Sequence, residues 1–201
     1  MPTGVHLRDV RAQLFAAADR VLLRDGPSGL TSRAVTTEAD CAKGVLHRHF
    51  DDFDAFLAEF VHDRAERLAA QASALREAVG TRTVVANLAD ALTELFSSVA
   101  VAIVALITFR DGLRARLRRD WPSGVPLLAE AAAMIADYLT AERDLGRLAE
   151  DIAIESLAPT LIGAGHLLFA DRTGNPPARD DVHRMVTSVL RGLNGGDVNF
   201  G

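Results

Sequence analysis

The 201-residue chain has one cysteine, one tryptophan, one tyrosine and one lysine, and only 5% of its residues are aromatic. The single cysteine, Cys41, excludes an internal disulfide and suits a reducing cytoplasm. No apolar run is long enough for a membrane: the richest, Val99–Ile107, falls well short of the roughly 20 residues a spanning helix needs. The start, Met1–Asp19, is polar and charged at helical spacing, which does not read as a secretory leader. Neither a glycine-rich phosphate loop, nor a Ser/His/Asp spacing, nor a metal-ligand cluster stands out, so an enzyme is the weakest reading and no cofactor or metal is expected. His47 and His49 lie two residues apart, which on a helix turns them to different sides and argues against a shared metal.

What the chain has is helix-forming material. Hydrophobic residues make up 49% of it, with Ala, Leu and Arg recurring, and these are strong helix formers. The expectation is an all-α protein. Its net charge of −5 is unevenly spread. Residues 1–50 carry seven basic and five acidic side chains, leaving −7 for the rest. A mildly basic head on an acidic body fits a protein of which only the head approaches phosphates.

Leu7, Val10, Leu14, Ala17 and Val21 recur at three- and four-residue steps, so the chain opens with an amphipathic helix. Glycines and a proline at Asp25–Gly29 end it. Thr31 reads as the N-cap of a second helix, about Ser32 to Ala39. Asp40–Ala42 makes a tight turn, and a third helix covers Lys43–His49. Two short helices joined by about three residues have helix-turn-helix spacing. Asp51, Asp52 and Asp54 then favour a helix start, and Phe53, Phe56, Leu57, Phe60 and Val61 form the stripe of a long fourth helix ending near Gly80. Further helices are expected at about Thr83–Phe109, Gly112–Arg119, Val125–Thr140, Ala149–Ala170 and Asp180–Leu193. Ser97 and Ser98 are a candidate break, and Pro159 implies a kink or a late helix start.

The stretch GLTSRAVTTEADCAKGVLHRHFDDFDAFLAEF, residues 29–60, resembles the N-terminal domain of the TetR family of bacterial repressors. Leu30, Thr31, Arg33, Ala34, Val35, Glu38, Ala39, Lys43, Gly44, Leu46, His49 and Phe50 fit the family pattern. Asp40 stands where the family usually has Gly, His47 where it usually has Tyr, Phe53 where Lys is frequent, and Val45 where Thr is commoner. The helix-turn-helix survives these departures, but no inherited operator sequence does. The resemblance implies three N-terminal helices that bind DNA (residues 1–52), a helical ligand-binding and dimerisation body (53–195) and a flexible tail (196–201).

Leu46 and Phe50, one turn apart, would anchor the third helix, turning Lys43, Gly44, Val45, His47, Arg48 and His49 outward. Val45 suits a thymine methyl, and Arg48 or Lys43 suits guanine acceptors or phosphates. Thr31, Ser32 and Arg33 offer hydroxyl, guanidinium and backbone N–H groups to a phosphate. Lys43, the sole lysine, fits either a general preference for Arg or a selected position. His47 against a phosphate would make DNA binding tighten in acid. Cys41 reads as a small turn residue more readily than as a redox switch.

In the body, Ala91–Phe109 is apolar almost all round and must be buried or line a cavity. Phe96, Ile103, Phe109, Trp121, Tyr138, Ile162 and His166 are the candidate pocket residues, each with an ordinary core role as its alternative. The resemblance implies a small, largely apolar effector. For the dimer interface it points to the last two long helices, where Leu161, Gly165, Leu168, Val182, Met185, Val186, Val189 and Leu190 are candidates. The alternative is that both stripes are consumed by the chain's own core. The reading that results is a ligand-responsive, homodimeric repressor that binds a palindromic double-stranded operator in the cytoplasm. A regulator of the same fold without an effector is its alternative.

Overall fold

The computed structural model describes residues 3–97, 99–122, 125–170 and 176–194. Among them lie ten helices and no strand: α1 (Thr3–Gly29), α2 (Ser32–Glu38), α3 (Gly44–His49), α4 (Phe53–Glu77), α5 (Val84–Ser97), α6 (Ala100–Phe109), α7 (Asp111–Leu117), α8 (Leu128–Asp144), α9 (Ile154–Ala170) and α10 (Arg179–Asn194). The tail expected at 196–201 lies outside the described residues. No single described helix is long and apolar enough to cross a membrane.

The helices form two compact units. One gathers residues 1–64 and 102–126, the other residues 65–101 and 127–201. The packing division falls at 64/65, inside α4, because Phe56, Leu57, Phe60 and Val61 are buried in the first unit.

In the first unit, α1 breaks at Gly26, whose positive φ of 73° suits glycine, and Pro27 restarts the helix where its missing N–H costs nothing. Leu14, Phe15, Ala18, Val21 and Leu22 of α1 are buried. Phe15 meets Phe50, Phe56 and Phe60 at ring-centroid distances of 6.1, 5.6 and 5.9 Å, and Phe50 meets Phe56 edge-on at 5.1 Å. Contacts of this kind each add about 0.5–1.5 kcal/mol to simple burial. Four phenylalanines thus tie α1, the end of α3 and α4 together. Arg64 joins them: buried on α4, it donates from Nε to Asp19 of α1 at 3.0 Å and lies over the Phe60 ring at 4.9 Å.

In the second unit, α8 packs on α9, α5 on α10, and α9 on both α5 and α10. Its core holds a polar thread. Asn87 donates to Tyr138 Oη at 3.1 Å and to the Ala78 carbonyl at 3.0 Å. Fully buried Glu142 accepts the Gly80 N–H at 3.2 Å and pairs with Arg147 at 3.0 Å. A buried carboxylate without such partners would cost several kcal/mol. Burial and then the neighbouring Glu142 carboxylate hold the Tyr138 phenol above its usual range.

The predicted segment Thr83–Phe109 is broken between α5 and α6, as Ser97 and Ser98 suggest. Helix α9 begins at Ile154 and not Ala149, and Pro159 lies inside it as the sixth residue. The α8 start is also later than expected, at Leu128, where Glu130 Oε2 accepts the Leu127 N–H at 2.7 Å.

Candidate nucleic-acid interface

The interface is built from the turn outward. Thr31, in an extended conformation, accepts the Ala34 N–H on its hydroxyl at 3.1 Å and so fixes the start of α2. Its other end is held from α1, where Gln13 Nε2 donates to the Ala39 carbonyl at 2.7 Å. Asp40 then takes a left-handed φ of 50°, the conformation its turn position requires and an Asp tolerates. The Cys41 N–H returns to the Thr36 carbonyl at 3.0 Å, closing the turn into α3. Burial raises the Cys41 thiol, with Asp40 adding to it, which does not favour a reactive thiolate.

Leu46 and Phe50 are buried, which fixes the rotation of α3. Lys43, Gly44, His47 and Arg48 are exposed, with Val45 and His49 half-buried on the flanks. A side chain at Gly44 would meet nothing within 4 Å, so α3 begins on open space. Lys43, Arg48 and Arg33 make no ion pair among the described residues, and all three are exposed.

The neighbouring cations of α1 are engaged. Arg20 and Arg24 both bind Glu38 of α2, at 2.6 and 2.8 Å, and Arg24 also binds Asp25. The hydrogen bonds from Arg24 and then Arg20 hold the Glu38 carboxyl below its usual range. Arg11 pairs with Glu59 and sits 4.7 Å above the Phe50 ring. Three of the head's arginines are thus structural, and Arg33 and Arg48, without an ion pair among the described residues, lie at the start of α2 and on α3. One candidate is corrected. Ser32 Oγ is covered and makes no hydrogen bond, so its hydroxyl is not presented to a phosphate.

Sequence reasoning missed a set of ties from α4 to α7. Asp52 Oδ1 accepts the Ala55 N–H at 2.8 Å as an N-cap, while Oδ2 pairs with Arg116. Asp54 pairs with Arg110, whose guanidinium also lies 5.2 Å over Phe53. His62 Nε2 lies 3.1 Å from Asp120 Oδ2, and its ring lies 4.5 Å from that of Trp121. Residues some 60 positions apart leave no periodic signal of such pairing. Arg64 did leave one: it occupies the turn after Phe60 on the buried face of α4, where a charge demands a partner.

The expected pocket residues divide between the two units. Phe96, Tyr138, Ile162 and His166 belong to the second unit, and Ile103, Phe109 and Trp121 to the first. Phe96, Tyr138 and Ile162 are buried core. The Phe96 ring meets His166 at 6.2 Å and Phe169 at 5.7 Å, and lies on Gly165. Ile103 is core as well. Phe109, expected inside, is 85% exposed. It closes the α6 face that runs through Val101 and Ala105, the less buried side of that helix. Trp121 lines a cavity of about 370 Å³, together with residues of α6 and α7.

The interface candidates divide too. Leu161, Gly165, Val182, Val186 and Leu190 are buried within the single chain, so the alternative reading of these five as core holds. Both stripes were apolar, and the stripe side is the side each helix turns to its neighbours in the second unit. Leu168, Met185 and Val189 remain half-buried. The outward face of α9 is instead Pro159, Thr160, Gly163 and Leu167, the last 75% exposed.

No protein-family model matches the chain. An uncharacterized helix-turn-helix transcriptional regulator of Haemophilus influenzae is 33% identical over 54 residues, which is 27% of this chain and only 29% of that protein. Solved structures match far more of the length. A TetR-family regulator of Mesorhizobium loti aligns with a TM-score of 0.70 and 15% identity, covering 93% of this chain and 96% of its own. One from Rhodococcus gives 0.68 and 18%, covering 93% and 100%. The regulator FadR of Bacillus subtilis, solved with stearoyl-CoA, gives 0.62 and 17%, covering 92% and 98%. Across nearly its whole length, then, this chain has the fold of the TetR-family transcriptional regulators.

Proposed function

We propose that the chain is a transcriptional regulator of the TetR type, which binds a palindromic operator as a homodimer through residues 1–52 and is released from it by a small-molecule effector held in residues 53–195. The observation that carries the DNA-binding part is α3. Its rotation is set by buried Leu46 and Phe50, and Lys43 and Arg48 stand outward with no acidic partner among the described residues. Thr31 and Arg33 flank it at the start of α2.

In a homodimer two copies of α3 would enter successive major grooves about 34–36 Å apart, and pairing multiplies a weak single-head affinity. The α9 face at Pro159, Gly163 and Leu167, with half-buried Leu168, Met185 and Val189 beside it, is the surface we assign to the second copy. Such a regulator acts in the cytoplasm. That the FadR neighbour was solved with stearoyl-CoA supports an effector in this fold.

Selection of bound duplexes from a random pool, followed by anisotropy titrations, tests the proposal. A two-fold symmetric site should emerge, and Arg48→Ala should weaken it by about tenfold or more, as loss of a base or phosphate contact does. Lys43→Gln should lower the slope of log affinity against log salt by about one if it contacts a phosphate. Failure of the purified protein to bind any duplex at low salt would overturn the reading.

A further inference from the structure

The cavity in the first unit has a chemistry that selects its occupant. It measures about 370 Å³, at the small end of ligand sites. Ile107 from α6, Leu117 from α7, and Val125 and Pro126 beyond it supply apolar wall, and Trp121 supplies a flat indole face. Arg114 and Arg118 supply the charge, and no Asp or Glu lines the space among the described residues.

The two arginines are not equivalent. Arg114 donates from Nη1 to the Thr108 carbonyl at 3.1 Å and pairs with Asp111, so it is already engaged. Arg118 makes no ion pair with a described residue. Thr108 gives its hydroxyl proton to the Val104 carbonyl at 2.8 Å, which removes it as a donor. One available guanidinium above apolar and aromatic walls fits an anionic head on an apolar body, because a planar guanidinium binds a carboxylate through two parallel hydrogen bonds.

We propose that this cavity binds a small carboxylate with an apolar or aromatic body, Arg118 taking the carboxylate and Trp121 the body. This deepens the effector reading and rests on it for its consequence at DNA. The short helix that offers Arg114 and Leu117 to the cavity, and that Arg118 caps, sends Arg116 to Asp52, and Arg110 just before it binds Asp54, both at the start of α4. That segment follows α3 directly. Gly112 lies so close against Asp54 that a Cβ there would collide with the carboxylate, so α7 cannot shift without disturbing this contact. A ligand that moves α7 would therefore move the segment that follows the recognition helix.

Trp121 is the only tryptophan in the chain, so its fluorescence reports on the cavity without any DNA. The experiment titrates the full-length protein with sodium octanoate and 3-phenylpropanoate, and with octanol and 3-phenylpropanol as neutral partners of the same shape. The carboxylates should give a saturable change and the alcohols should bind about tenfold more weakly. Arg118→Gln should lose about tenfold for the carboxylates and nothing for the alcohols, while Arg118→Lys should recover part of that loss. Circular dichroism melts show that the variants fold. No saturable change with any carboxylate, or equal binding of alcohols and carboxylates, overturns the proposal. So does an Arg118→Gln variant that binds carboxylates as well as the unchanged protein. Anisotropy on DNA without ligand is measured separately, so loss of the regulator reading and loss of the carboxylate site are distinguishable.

Discussion

At the scale of single residues, charge pairing separates structural arginines from available ones. Arg64 is buried, with Asp19 a quarter exposed beside it. Arg64→Ala leaves that carboxylate without its cation and removes packing over Phe60, so we expect a loss of about 2–4 kcal/mol in chemical denaturation. Arg64→Met combined with Asp19→Asn should recover part of the loss, because it keeps the volume and removes the orphaned charge. Glu38 gives a pH signature instead. Its folded value lies below the ordinary 4.5, so the unfolded state takes up the proton first as pH falls. Its stabilising share is therefore complete above about pH 4.5 and is lost as pH drops through the folded value. Glu38→Gln should lower stability near pH 7 by that share and flatten the acid limb below pH 5, where the two curves converge. Glu38 matched the resemblance in the sequence, but its two arginine partners, 14 and 18 positions earlier, were visible only after folding.

At the scale of elements, the packing of α5 against α9 turns on a glycine. A Cβ at Gly165 would lie 2.5 Å from Phe96 Cε2 and 3.0 Å from Cδ2. Alanine in a helix interior is ordinarily favoured over glycine by about 1 kcal/mol, whereas overpacking a filled core costs about 1–3 kcal/mol. Since the Phe96 ring is itself held by Phe169 and His166, the second effect should win. Gly165→Ala is expected to lower the melting temperature, and Gly165→Ala with Phe96→Leu to restore much of it. Helix positions and breaks were legible because hydrogen bonds four residues apart write their period into the sequence. The Gly26 and Pro27 break and the Thr31 cap were read from local chemistry alone. Which face meets which helix was not. The stripe of α10 was apolar whether it faced a second copy or its own unit, and Val182 and Val186 proved to face the latter.

At the scale of the whole molecule, the proposed function depends on association. Leu167 is 75% exposed, so a charge there should leave the fold of the single chain intact. Leu167→Glu is expected to shift the protein toward monomer in analytical ultracentrifugation with little change in helicity. Affinity for a two-half-site duplex should fall by roughly a hundredfold as avidity is lost, while affinity for one half-site stays the same. An unchanged sedimentation coefficient would place the second copy on another surface.

The sequence by itself determined that the chain is helical, where its main breaks fall, and that Lys43–Phe50 is a rod with Leu46 and Phe50 beneath it. All of these follow from interactions spanning a few residues. Only the tertiary structure decided which apolar stripes are core, which arginines keep a free charge, and that the cavity lies beside Trp121 and Arg118. Those outcomes depend on side chains far apart in the chain that meet when the helices pack, and one-dimensional periodicity carries no record of such meetings.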